Sequence, residues 1–160
     1  MKIWGAIEGF RPGEQYNNKN AWGDPFRMNG FTLLLLSAIR ATFREKDPTA
    51  TITIHAGFAI RGHSSKSQHY KGNAGDFHVN TTLSYPEQIE CMLEALDDLQ
   101  VAEKVGFGIY PDWNSPGFHI DDRGEWARWG YIGGKIYFGT QGFAQVQVYA
   151  IEKNTKDEGI

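Results

Sequence analysis

Apolar side chains recur along this chain with two periods, and the switches between them outline the elements. Between Phe31 and Lys46, Leu33, Leu34, Leu36, Ile39, Ala41 and Phe43 make a run long enough for a helix, with Asn29 as its cap and Asp47-Pro48 as its stop. This helix is expected to be buried on most sides. Ala50 to Phe58 alternates β-branched residues and predicts a strand. Ser84, followed by Glu87, makes a capping box for a second helix from Tyr85 to about Leu99, with Ile89, Met92, Leu93 and Leu96 on its apolar face.

Shorter runs fill the remainder. Ala74 to Val79 alternates, so Asp76 and His78 project from one face of a strand. Val105 to Tyr110 and Phe118 to Asp121 read as strands, Tyr131 to Phe138 as a hairpin around Gly133-Gly134, and Val146 to Ile151 as a final strand. Gly62 to Asn73 is a polar loop. The turn signals Arg11-Pro12-Gly13 and Gly23-Asp24-Pro25 make residues 1–30 an irregular arm, and residues 153–160 read as a solvated tail. The pattern predicts an α+β domain with a small antiparallel sheet and flanking helices.

Composition narrows the function. At 160 residues and 41% hydrophobic content the chain suits one globular domain, residues 1–160. A net charge of -3 gives no basic footprint, which argues against nucleic-acid tracking and against adhesion to anionic surfaces. The lone Cys91 excludes an intramolecular disulfide and is expected to pack as a small buried hydrophobe. No apolar run approaches the roughly 20 residues of a membrane span, and Met1 to Glu8 lacks a leader pattern. The expectation is a monomer, cytoplasmic as synthesised.

The chemistry concentrates in Ser67-Gln68-His69-Tyr70-Lys71-Gly72-Asn73-Ala74-Gly75-Asp76. An imidazole and a carboxylate are ordinary zinc ligands, and with His119 far downstream they make a set of three that leaves a tetrahedral position for water. Gly72 and Gly75 are expected to supply backbone conformations that other residues avoid. His78 reads as a cleft-wall or surface residue, His55 as a satisfied core histidine and His63 as part of the polar loop.

This decapeptide resembles the signature SxHxxGxAxD of the zinc D-alanyl-D-alanine carboxypeptidase and L-alanyl-D-glutamate endopeptidase family, and it fills every fixed position. Chance alone would produce such a match in on the order of one chain in ten thousand. Ile52 to Phe58 resembles the family strand before the signature, and Gly117 to Gly124 with Ala127-Arg128-Trp129 resembles its third-ligand strand. Trp22 to Pro25 with Met28-Asn29 resembles the start of the first core helix, so the similarity spans about 22–129.

The resemblance implies a hedgehog/DD-peptidase-like fold, Zn2+ held by His69, Asp76 and His119, and hydrolysis of peptidoglycan stem peptides, as in a phage or prophage lysin released through a holin. It transfers Arg61 as a steadying group for substrate or oxyanion, though Ala59 and Ile60 intervene after Phe58. Ser67, Tyr110 and Trp129 fall on the substrate side, although aromatic residues near strand ends such as Tyr110 and Trp129 more often serve packing. Where several branches place a glutamate or a His-x-His pair, this chain has Pro116 and Gly117. Asp121 takes that place, either as proton acceptor or as a partner that orients His119. The rival reading is a non-catalytic zinc-containing wall-binding or virion module.

Overall fold

Asn29 opens the first long helix by accepting the Phe31 amide through its side chain at 2.8 Å, in a computed structural model that describes residues 3–157 and 159. This helix, α1 (Gly30–Lys46), buries Leu33, Leu35, Leu36, Ile39 and Phe43, while Phe31 and Leu34 stay about half exposed. It is therefore one-sided rather than buried on most sides. In α2 (Tyr85–Asp98) the capping box forms, with the Ser84 amide donating to Glu87 Oε2 at 2.7 Å. Cys91 is buried on this helix, and burial pushes its thiol up to about 11.

A third helix, α3 (Gly139–Asp157), replaces both the strand expected at Val146 to Ile151 and the tail from residue 153. Phe143, Val146 and Ala150 are buried at helical spacing, whereas Val148 and Ile151 face solvent. The β-branched residues suggested a strand, but packing of that stripe against the sheet decides for helix. Residues 158 and 160 of the expected tail lie outside the described residues, as do residues 1 and 2 of the arm.

The arm is more ordered than expected. It carries a ribbon of β1 (Gln15–Tyr16) and β2 (Lys19–Asn20), turned by Asn17 and Asn18 at φ 50 and 60°. Trp22 is fully buried between Trp4 and Phe10, with its indole N–H donating to Arg11 O at 3.0 Å.

The main sheet holds β3 (Thr51–Ala56), β4 (Ala74–Asn80), β5 (Gly106–Tyr110), β6 (Gly117–Asp121), β7 (Ala127–Ile132) and β8 (Lys135–Phe138), in the order β3-β4-β6-β5-β7-β8. Every neighbouring pair is antiparallel except β5 with β7, so the sheet is mixed rather than antiparallel throughout. After β6 the chain reverses into the direction of β5. Because β4 already occupies the other edge of β6, the returning strand pairs with β5 instead.

Alternation gives the sheet two unlike faces. Ile52, Ile54, Phe77, Val79, Phe107, Ile109, Phe118 and Ile120 are buried in the cluster they share with the helices, each side chain contributing roughly 1.5–3 kcal/mol on burial. The residues between them, Asp76, His78, His119 and Asp121 among others, point to the opposite face, which no long helix covers among the described residues. The architecture is mixed α+β in two layers. Among the described residues, no helix is long and apolar enough to cross a membrane.

Candidate metal centre

Strand register builds the first half of the site. β4 and β6 place Asp76 directly opposite His119, and His119 Nδ1 lies 2.7 Å from Asp76 Oδ1. His69 arrives from a short 3-10 turn, Gln68–Lys71, which Ser67 starts by accepting the His69 amide and Gly72 ends at φ +72°. A Cβ at Gly72 would stand 2.0 Å from the Arg27 carbonyl oxygen, so both conformation and space demand glycine. Gly75 is different. Its φ is not positive; its missing side chain instead admits Leu36 of α1, 3.1 Å from where a Cβ would sit.

The His69 ring is only 1% exposed, and its Nδ1 lies 2.6 Å from the Gly57 carbonyl oxygen. A carbonyl offers no proton, so Nδ1 carries the hydrogen and donates it. That tautomer leaves Nε2 with a bare lone pair, buried, with no hydrogen-bond partner among the described residues, and 3.3 Å from Asp76 Oδ2. A lone pair facing a carboxylate oxygen is unfavourable unless a cation, either a second ring proton or a metal, lies between them. One ring nitrogen donated to a backbone carbonyl and the other left free is the usual state of a metal-binding histidine. The residues present therefore fit a divalent metal.

His119 is held from behind. Its Nε2 lies 2.7 Å from Asp121 Oδ2, and Arg123 grips the same carboxylate twice, Nε to Oδ1 at 2.7 Å and Nη2 to Oδ2 at 2.6 Å. Asp121 is wholly buried, and both its oxygens are engaged. This is the geometry of an orienting partner, not of a free proton acceptor.

The space for this arrangement comes from β5. A Cβ at Gly106 would lie 2.5 Å from Arg123 Nε and 2.6 Å from Asp121 Oδ2, and one at Gly108 would lie 2.6 Å from the Trp129 ring. The alternating glycines thus form a trough beneath the half-buried ion pair and the indole.

Charge follows from these neighbours. Burial opposes ionising Asp76, but its hydrogen bond with His119 and the two imidazoles beside it outweigh that and hold the carboxyl well below its ordinary range. Burial likewise opposes charging His119, yet Asp121 and Asp76 raise it to about 9. For Asp121, burial is outweighed by Arg123 and His119, which lower it to about 2. A metal taken up at His119 Nδ1 must displace a proton there, while the bond from Nε2 to Asp121 can persist.

A cleft of about 730 Å³ opens over these groups, walled by His63, Lys66, Tyr110, Arg123, Trp129 and Phe138, within the size range of small-ligand sites. Ser67 lines it too, but its hydroxyl serves the turn that carries His69. The Trp129 indole N–H donates to the Tyr110 hydroxyl at 2.9 Å, and its ring lies 5.1 Å from His119 and under Arg123. Both residues therefore wall the cleft and brace it. Arg61 is exposed and outside the cleft lining; Arg123 is the arginine at the site.

His63 is brought in as well. It stacks on His69 with ring centroids 4.1 Å apart, and among the described residues the three whose ligand atoms all lie within 4.8 Å of one another are His63, His69 and Asp76, while His119 joins the cluster through Asp76. Its place in a polar loop gave no sign of this, because the contact depends on how the loop folds back. No protein-family model matches the chain, and no curated protein matches it.

Proposed function

We propose that this chain is a zinc-dependent peptidase that hydrolyses peptide bonds in bacterial cell-wall stem peptides, at D-Ala-D-Ala or L-Ala-D-Glu, in wall lysis or remodelling. The observation that carries the metal is the buried, partnerless lone pair of His69 Nε2 facing Asp76. The substrate class and the hedgehog/DD-peptidase-like fold rest on the resemblance of Ser67 to Asp76 and of the His119 strand to that family.

His69, Asp76 and His119 would hold the ion. When bound, it supplies Lewis-acid polarisation of a scissile carbonyl and makes water more acidic. The protein fixes the ligands: Gly57 sets the His69 tautomer, and the Arg123–Asp121 pair keeps a proton on His119 Nε2, freeing Nδ1 for ligation. Trp129 and Tyr110 shield one side from water, and Lys66 at the rim offers a cation to a substrate carboxylate.

One observation favours the second reading, a non-catalytic zinc-containing wall-binding or virion module. Among the described residues the only acids lining the cleft are Asp76 and Asp121, and both oxygens of Asp121 are already engaged. Incubating zinc-loaded protein with purified peptidoglycan and analysing the products by mass spectrometry separates the two. New amino termini at one type of bond are expected; intact stem peptides alongside retained zinc would establish the binding module.

A further inference from the structure

We propose that His63 is a fourth, displaceable protein ligand of the metal centre, closing its coordination shell until a substrate takes its place. This rests on the metal-binding part of the reading above.

Three ligands from the turn and the two strands would leave one tetrahedral vertex, and a fourth protein ligand would convert an open site into a closed one. His63 stands beside two of those ligands, with a ring nitrogen in the same 4.8 Å group as His69 and Asp76. Its main chain is tied to the turn that carries His69. The His63 amide donates to the Tyr70 hydroxyl at 3.1 Å, and that hydroxyl donates to the His63 carbonyl at 2.8 Å. The loop is thereby registered on the metal-binding turn itself.

The ring has freedom that the other ligands lack. His63 is exposed and follows Gly62, which adopts φ +93° in open space. Against His69 its plane is inclined by only 17°, so the two rings direct their lone pairs side by side rather than at a common point. Rotation of the exposed side chain about its two torsions would carry a ring nitrogen toward the ion, and the reverse rotation would restore the stack. His69 and His119 cannot move in this way, being buried and locked by Gly57 and Asp121.

The test compares wild type, His63→Ala and Asp76→Ala by zinc competition with a chromophoric chelator and by the visible spectrum of the cobalt(II)-loaded protein, with circular dichroism as the check on folding. In His63→Ala, zinc affinity should fall at least about tenfold, the cobalt bands should shift, and added imidazole should restore the wild-type spectrum. Acetohydroxamate should give wild type and His63→Ala the same cobalt spectrum, since it displaces His63; differing spectra would contradict displacement. Unchanged affinity and bands in His63→Ala, with metal lost in Asp76→Ala, would overturn the role of His63 and leave the metal centre standing. Absence of zinc binding by wild type would overturn both.

Discussion

The open face of the sheet carries two histidine clusters side by side, and strand β4 contributes to each. Around Asp76, the imidazoles of His69 and His119 alternate with carboxylates. Two residues further on, His78 meets another imidazole, with His55 Nε2 2.6 Å from His78 Nδ1, Tyr16 stacked on His55 and Trp113 alongside. There the hydrogen bonds close on themselves. His78 Nε2 donates to Asn80 Oδ1 at 3.1 Å, which leaves Nδ1 to accept from His55, while the Asn80 amide donates to Thr51 and Thr53.

The protonation behaviour is opposite in the two clusters. His119 is raised to about 9 because its carboxylates outweigh its burial, whereas burial and the His78 neighbour lower His55 to about 4. Neighbours, not residue type, determine whether a histidine cluster attracts a cation. The first cluster has negative charge and an unspent lone pair; the second is neutral and satisfied.

Removing the carboxylate should have the largest effect. Asp76→Ala is expected to weaken zinc binding by at least about a hundredfold, since a ligand should matter no less than an outer-shell partner, whereas His78→Ala stays within about twofold. Competition titrations measure both, and equal losses would erase the distinction between the clusters.

The support beneath His119 comes next. Arg123→Ala leaves the buried Asp121 charge half-compensated and should cost about 3 kcal/mol of stability, read from denaturant unfolding. Gly106→Val drives a side chain into the same ion pair and should cost about 1–3 kcal/mol while weakening metal binding. Stability unchanged in both variants would mean that the pair does not hold the site.

A smaller effect separates the clusters by pH in protein stripped of metal with a chelator. His119, raised from 6.5 to about 9, stabilises the fold fully below pH 6.5, and that contribution is lost as pH rises through 9. His55, lowered from 6.5 to about 4, behaves the other way: its contribution is intact above pH 6.5 and is lost as pH falls toward 4. In plots of Tm against pH, His119→Gln should flatten the alkaline limb and His55→Gln the acid limb. The reverse assignment would refute the charge reading.

The smallest expected effect concerns Arg61. Lying outside the cleft lining, it should tolerate replacement by Ala with zinc affinity and peptidoglycan turnover within about twofold of wild type. A large loss of turnover would restore it to the substrate side.

What was legible in the sequence was mainly local. Asn29, Ser84 and Glu87 announce their helices because a cap acts within a single turn, and the spacing from Ser67 to Asp76 marks a candidate site because the turn and strand are continuous. Hidden were relations made across the sheet. The parallel pairing of β5 with β7 depends on which strand edge is free. Gly106 and Gly108 matter only because Asp121, Arg123 and Trp129 stand over them, and His63 reaches the cluster only once its loop folds back onto Tyr70. At α3, local β-propensity competed with a helical apolar stripe and lost to packing.

The central claim, that His69, Asp76 and His119 converge on one metal ion, is tested most directly by titrating zinc into the metal-free protein at pH 7 in buffers of different ionisation enthalpy. One zinc per chain with release of about one proton is predicted, because His119 must give up its Nδ1 proton to ligate. No saturable binding, or one zinc bound with no proton released, would contradict the account.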